Sequence, residues 1–380
     1  MALRADDLAA RIRSLFAENF ARLGELGAAV SIWQNGASML ELEGGYRDAT
    51  RKAPWTRDTL VLFWSATKGL GSACLLHVLQ EREIGLERRV AEFWPEFAQA
   101  GKDEITLAQL LSHRAGLVAF DEAVDVLDSA AIVRALEKQK PLWKPGTAHG
   151  YHARTFGFLL DELVRRIDSR SIAAYWREVF AEPLDLDIWI GLPPEENHRV
   201  ATIYAARAAG AAPPDAFYRA LVTPGTLQRK AFTSPQGLHA VSIMNTAENR
   251  ARSFVSFGGI GSATSLAKFY ALLANGGALG PQRFFTEKTI AFMTTTLTAG
   301  MDRVFLVPTA FSAGFMQDPP EVGRHLFGPS SCAFGHPGAG GSHAFADPEN
   351  NLSFAYVMNQ MEQKILPDEK PLRLVEALYA

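Results

Sequence analysis

A chain of 380 residues with 48% hydrophobic content has ample material for a core, either as one large unit or as two or three domains. Basic and acidic residues nearly balance, 38 against 41, and the net charge of -3 without a basic block excludes nucleic acid as the main partner. Cys74 and Cys332 are the only cysteines, which excludes a disulfide framework; Cys74 reads as a small buried side chain.

The chain opens with ALRADDLAARIRSLFAENFARL, in which Leu8, Ile12, Leu15, Phe16, Phe20 and Leu23 recur at helical spacing. Charges interrupt this amphipathic helix too often for a signal peptide, and no later stretch is apolar enough to span a bilayer. The expectation is a soluble, cytoplasmic protein without membrane insertion. Two strands follow, Ala29 to Trp33 and Ser38 to Glu43, joined through Asn35-Gly36, the strongest short hairpin signal.

The stretch LVLFWSATKGLG, Leu60 to Gly71, carries the first chemistry. An apolar run reaches Ser65, and a helix-like segment from Ala66 to Gln80 places Lys68 one turn on, close enough for its amine to meet the Ser65 hydroxyl. A serine needs a neighbouring base, and a lysine becomes one only when burial lowers its pKa; Leu62, Phe63, Trp64, Leu70 and Leu75 supply the apolar surroundings. The pattern alone is cheap, because Ser265-Leu-Ala-Lys268 matches it too and also opens a helix.

Thr106-x-x-Gln109 is a capping box starting TLAQLLSH, with Gly116 placed to end that helix. A Pro- and Gly-rich loop, Trp143 to Ala153, then delivers Tyr151 ahead of a helix over Phe156 to Ile167, where the tyrosine either faces a cleft or anchors the loop. Ala205 to Ser253 begins with the run AARAAGAAPP and has little periodicity, so it reads as a long lid-like connection. Ser265 to Leu273 is helical and stops at Gly276-Gly277. Near the end, Gly335 to Ser342 (GHPGAGGS) enters a strand, Ser342 to Phe345 and Leu352 to Met358 flank a turn, and Leu372 to Leu378 closes as a short helix. Hairpins at both ends predict one antiparallel sheet built from both chain termini.

Taken together, WSATKG, LLSHRAGL (Leu110 to Leu117), Pro145-Gly146-Thr147 with Gly150-Tyr151-His152-Ala153, Gly259-Ile260-Gly261-Ser262-Ala263, and HPGAGGS with Phe345-Ala346-Asp347-Pro348 resemble the serine β-lactamase and penicillin-binding protein superfamily. The resemblance is closest to its class C β-lactamase-like esterases, the family VIII carboxylesterases, and covers nearly the whole chain. It implies an α+β serine β-lactamase-like fold: an antiparallel sheet from both chain ends flanked by helices (1–95 with 300–380) and an inserted mainly helical subdomain (96–299) that includes the lid-like segment 205–253. It separates the two Ser-x-x-Lys matches, putting Ser65 at the nucleophile position and Ser265 in a structural helix. It further implies that Ser65 is acylated, that Lys68 and Tyr151 share the proton transfers, and that the backbone N–H groups of Ser65 and Ala339 hold the oxyanion. A tyrosine beside an ammonium would have its phenolate favoured, and the sequence leaves open which of the two takes the proton first.

The departures from that family matter. Penicillin-recognising relatives carry Tyr-x-Asn where this chain has Tyr151-His152-Ala153, and Lys-Thr-Gly where it has His336-Pro337-Gly338. Loss of the amide, the fixed charge and the hydroxyl removes groups that would engage a β-lactam, whereas a simple ester needs none of them. His336 either donates to substrate or to Tyr151, or is structural; Gly338 allows close approach, and Trp64, Phe120, Trp143 and Phe257 are candidate walls of an acyl pocket. No Gly-x-Ser-x-Gly elbow is present, which argues against an α/β-hydrolase. His149-x-x-His152 lacks companions for a metal site, the glycine stretches lack a nucleotide-binding context, and His77 and His113 read as structural. The expectation is a serine hydrolase of short-chain carboxylic esters acting through an acyl-Ser65 intermediate, without cofactor or metal. The alternatives are a β-lactamase or D-alanyl peptidase, an acyltransferase, or a non-catalytic binding module.

Overall fold

In the first helix, α1 (Ala5–Arg22), Asp6 and Asp7 occupy the first turn and Arg22 the last, each sign matching the helix dipole at its end. The computed structural model describes residues 5–207, 215–321 and 323–380, so most of the AARAAGAAPP run lies outside the described residues. The stripe read from the sequence buries Ile12 and Phe16. Strands β1 (Gly27–Gln34) and β2 (Ala37–Gly45) meet at Asn35-Gly36, whose φ values of 53° and 76° are the paired left-handed conformations that Asn-Gly selects.

Helix α2 (Thr67–Glu81) has no polar face in its first three turns: Thr67 through Leu76 are all buried. A helix buried all round is a core helix, and α2 is wedged between two layers. On one side lies α3 (Thr155–Asp168), with Leu160 near Gly71. On the other, Tyr270 of α4 (Ala263–Ala274) and Phe315 crowd Gly69, and the Ser72 hydroxyl donates to the Gly314 carbonyl at 2.8 Å.

Six further strands complete the large sheet: β3 (Thr298–Met301), β4 (Pro308–Phe311), β5 (Met316–Gln317), β6 (Phe334–Gly335), β7 (His343–Asp347) and β8 (Leu352–Met358). Their order is β2-β1-β8-β7-β6-β5-β4-β3, antiparallel throughout, and β1 pairs with β8 so that Ser31 faces Ala355. The two chain ends therefore share one sheet, as the paired hairpins predict. Helix α4 lies against this sheet, where its Ala267 carbonyl accepts the Ser353 hydroxyl at 2.8 Å, although its position in the chain falls within 96–299. A second, three-stranded sheet joins Val61–Leu62, Gly259–Gly261 and Ile188–Ile190.

Two local readings need correction. The capped helix after Thr106 spans only Leu107–Leu111 and ends at Ser112, with His113 rather than Gly116 taking the first left-handed φ, 60°. The Ala205 to Ser253 connection is not structureless: it contains helices Ala216–Val222, Leu227–Thr233 and Ala247–Arg250, each capped by a side chain that the sequence displays, Asp215, Thr226 and Thr246. The second Ser-x-x-Lys match is structural, because Ser262 caps α4 and the Ser265 hydroxyl accepts the Asp187 N–H at 2.9 Å.

The closing helix α5 (Glu369–Leu378) is locked to the N-terminal segment by a buried polar knot. Lys370 Nζ sits 3.2 Å from Glu25 Oε2, which also accepts the Tyr356 hydroxyl at 2.5 Å, and Asn19 Nδ2 donates to the Lys370 carbonyl at 3.1 Å. Removing one charge from such a pair strands the other away from water. Lys370→Met is expected to cost about 3–5 kcal/mol in denaturant unfolding, and the double variant Glu25→Gln/Lys370→Met to recover at least half of the loss.

Candidate active site

The three-stranded sheet feeds directly into a single tight turn, Trp64–Ala66, that runs into α2. Trp64 has φ 53°, a left-handed conformation that costs a bulky residue about 1–3 kcal/mol. The turn is braced: the Phe63 N–H donates to the Gly259 carbonyl at 2.8 Å, Thr67 Oγ1 donates to the Trp64 carbonyl at 2.5 Å, and the Gly259 N–H donates back to Thr67 Oγ1 at 2.8 Å. This bracing sets Ser65 at the mouth of a cleft, half-buried, one turn before Lys68.

Lys68 is completely buried. Its Nζ lies 2.8 Å from the Ala153 carbonyl, 2.8 Å from the Ser256 carbonyl and 3.3 Å from Ser65 Oγ. Two loops supply those carbonyls, the Tyr151 loop and the 253–258 turn. Ser256 joins them, because its hydroxyl donates to the Arg154 carbonyl at 2.9 Å and accepts the Gly157 N–H at 2.6 Å. Burial holds Lys68 well below the ordinary lysine value.

Tyr151 is also buried, with Lys68 Nζ 4.7 Å from its ring centroid. Its ring stacks on Phe305 at 4.4 Å, and His113 and His336 flank it at 5.1 and 5.8 Å. Burial raises its phenol pKa, and hydrogen bonding with Ser65 only partly opposes this. The expectation of an ammonium beside a phenolate is thus corrected. In so dry a site, desolvation favours the uncharged member of each couple, amine and phenol.

The glycine-rich segment after β6 closes the site. A Cβ on Gly338 would stand 2.0 Å from the Phe63 carbonyl oxygen, so only glycine lets this backbone lie against the turn that carries Ser65. Its N–H donates to the Ser342 carbonyl at 2.6 Å, and the Ala339–Gly341 turn brings Ala339 to the same cleft as Ser65. His336 lines this cleft too. Its Nδ1 lies 2.8 Å from the Pro337 carbonyl, which can only accept, so Nδ1 carries the proton and the unpartnered Nε2 presents a lone pair. Burial lowers the His336 pKa to about 3, so the ring is neutral and its Nε2 an acceptor, which leaves donation from that nitrogen, one of the two sequence readings, without a proton to give.

The cleft is narrow, with a volume of about 20 Å³, and is walled by Phe232, Phe305, Met316, Ile365 and Leu366. None of the four aromatic residues suggested by sequence is among these walls. Trp64 has its Nε1 buried without a hydrogen-bond partner, Phe120 borders a separate cavity with Asp121 and Gln139, and Phe257 stacks on Phe254 at 4.9 Å beside Gly157. Trp143 packs behind the Tyr151 loop, where its Nε1 donates to the Ala148 carbonyl at 3.0 Å. Sequence missed the true walls because they come from distant segments brought together only by folding. It also missed Asp302, fully buried, whose Oδ1 accepts the N–H groups of Tyr151, Val304 and Phe305 at 3.2, 2.7 and 2.9 Å and so seats the stacked pair. His149 and His152 have protein partners: His149 Nε2 meets Thr309 Oγ1 at 2.9 Å, and His152 Nε2 accepts the Leu117 N–H at 3.0 Å.

The Beta-lactamase family model matches residues 12–378. Esterase/beta-lactamase LipL of Mycobacterium tuberculosis is 31% identical over 348 residues, covering 88% of this chain and 77% of that protein. Among solved structures, a penicillin-binding protein homolog from Caulobacter crescentus superimposes with a TM-score of 0.87 at 37% identity over 98% of this chain and 97% of that one. A family VIII carboxylesterase gives a TM-score of 0.86 at 37% identity, covering 97% and 96%.

The buried lysine fixes a pH dependence of stability. Its folded pKa lies below the unfolded value of about 10.4, so between the two the unfolded chain binds the extra proton and stability rises with pH. The Tm of the wild type relative to Lys68→Met is expected to rise as pH increases towards about 10 and to be lowest under acid conditions, read by thermal melts across pH.

Proposed function

The chain belongs to the Beta-lactamase family, as a hydrolase with the β-lactamase fold, and from that premise we propose that it is a serine esterase that cleaves short-chain carboxylic esters through an acyl-Ser65 intermediate. The observation that carries this reading is the position of Lys68 Nζ between two carbonyls and one hydroxyl. A neutral amine has two N–H donors and one lone pair. With both donors spent on the carbonyls of Ala153 and Ser256, the lone pair is left for the Ser65 hydroxyl.

Attack then proceeds with balanced charges. Ser65 Oγ bonds to the ester carbon as its proton passes to Lys68, and the resulting ammonium has three donors for three acceptors. The carbonyl π electrons move to oxygen, where the N–H groups of Ser65 and Ala339 are the proposed oxyanion donors. Collapse breaks the bond to the alcohol oxygen, which leaves with a proton from the Tyr151 hydroxyl, and Lys68 returns a proton to Tyr151. Water, deprotonated along the same relay, cleaves the acyl-enzyme and restores Ser65.

Three features favour a simple ester over a β-lactam. Ala153 offers no side-chain amide, neutral His336 supplies no fixed cation where penicillin-recognising relatives carry lysine, and the cleft walls are apolar and close. The family VIII carboxylesterase at 37% identity supports the same choice.

The initial rate on p-nitrophenyl butyrate tests the proposal. Wild type should turn it over, with Ser65→Ala and Lys68→Met each losing at least about 10³-fold in kcat while remaining folded. A chromogenic cephalosporin should give a kcat/KM at least about 100-fold lower than the ester; the reverse ranking would make the protein a β-lactamase, and an undiminished Ser65→Ala would remove the nucleophile. The kcat/KM profile should lose activity on acidification, because protonating Lys68 removes the lone pair that accepts the Ser65 proton, and a profile that rises on acidification would exclude Lys68 as the base.

A further inference from the structure

Beside the catalytic cleft lies a second, larger one of about 650 Å³, lined by Arg154, Leu221, Arg229, Phe232, Thr233, Gln236 and His239. Phe232 borders both this cleft and the one that holds Ser65. Its roof is the helix pair Ala216–Val222 and Leu227–Thr233, tied to the catalytic residues by a chain of rings. Phe217 and Phe232 lie 6.2 and 6.4 Å from Phe305, which stacks on Tyr151.

The lining has one sign of charge. It presents two guanidinium groups and an imidazole, and no aspartate or glutamate is among the described residues that line it. The arginines meet backbone rather than carboxylate: Arg154 donates to the carbonyls of Pro235, Gly237 and Leu238 at 2.8, 2.8 and 3.2 Å, and Arg229 to that of Val222 at 3.1 Å. Carbonyl dipoles orient a guanidinium without neutralising it. The three bonds to residues 235–238 hold Arg154 in place, while Arg229 lines the same cleft from an exposed position on the helix Leu227–Thr233. Walls of one sign beside apolar surface concentrate anions, and two guanidinium groups suit a carboxylate.

We propose that this cleft binds a carboxylate carried by the substrate, so that the preferred esters are those with an anionic group a few carbons from the scissile bond. The inference rests on the esterase reading. It moves recognition of negative charge from the position where penicillin-recognising relatives carry lysine, occupied here by neutral His336, to the second cleft that Phe232 borders. Leu221 and Phe232 cover the methylene chain and the arginines take its terminus.

The test compares mono-p-nitrophenyl glutarate with p-nitrophenyl pentanoate, which share a five-carbon acyl chain and differ in a terminal carboxylate against a methyl. In wild type the charged-to-neutral ratio of kcat/KM should exceed about ten at low salt and fall towards one in 0.5 M NaCl. Arg229→Glu should bring the ratio below one, and Arg229→Lys should retain part of it. Arg154 also braces the 235–238 loop, so Arg229, exposed and on a short helix, is the site varied. A wild-type ratio at or below one, or a ratio unchanged in Arg229→Glu, overturns the proposal while leaving the esterase reading intact.

Calorimetric titration of Ser65→Ala with monomethyl glutarate and methyl pentanoate reads the same preference without turnover. Tighter binding of the charged ligand, lost on adding Arg229→Glu, upholds the anion site even if neither ester is hydrolysed, in which case the esterase reading alone fails. Equal binding of both ligands refutes the site.

Discussion

Everything at the centre of this protein follows from burying one lysine. Lys68 sits in a helix whose first three turns have no exposed face, and its amine meets two carbonyls and one hydroxyl. Desolvation opposes the ammonium, and the three acceptors limit that cost without cancelling it. The same three-point cage suits the neutral amine, with two donors and a lone pair, and the ammonium, with three donors. A site that accommodates both protonation states without rearranging needs little reorganisation when a proton crosses it.

That cage depends on parts of the chain far apart in sequence. One carbonyl belongs to the Tyr151 loop and the other to the 253–258 turn, while Ser65 rests on a turn braced by the small sheet through Gly259. The large sheet contributes the fourth side. Because β1 pairs with β8, the N- and C-terminal segments close together, and the Glu25–Tyr356–Lys370 knot fastens them. Gly338 then lies flat against Phe63. The relation of fold to site is direct: the sheet positions the proposed oxyanion donor, the helical layer positions the phenol and the carbonyls that meet Lys68, and α2, which carries the proposed base, runs between them.

Much of this was legible in the residues themselves. Asn35-Gly36 fixed the first hairpin because few other pairs accept two left-handed conformations, and Thr106 with Gln109 marked a helix start because its reciprocal bonds are local. The capping residues Asp215, Thr226 and Thr246 were equally local signals, and weighing them would have revealed helices in a stretch that otherwise looked irregular. Gly116 misled as a helix terminator because His113 took the left-handed position within a nest of rings, Tyr151, Phe156 and Phe311 among them, and tertiary packing outweighed backbone preference there. The aromatic walls were misassigned for a similar reason. Nearness in sequence to Ser65 or Tyr151 carries no information about which rings face the cleft, and Phe305 lies there because Asp302 turns its loop inward.

The sequence by itself determined the short-range features: the hairpins, the capped helices, and a serine and lysine one helical turn apart, because each depends on atoms within a few residues. Which of the two Ser-x-x-Lys matches lies in the site by geometry, that Lys68 and Tyr151 face each other dry, that His336 offers a lone pair, and that two arginines stand beside the cleft without a carboxylate were decided only by tertiary structure. Protonation and charge environment depend on what surrounds a group in space, and those surroundings are set by long-range pairings that no local pattern encodes.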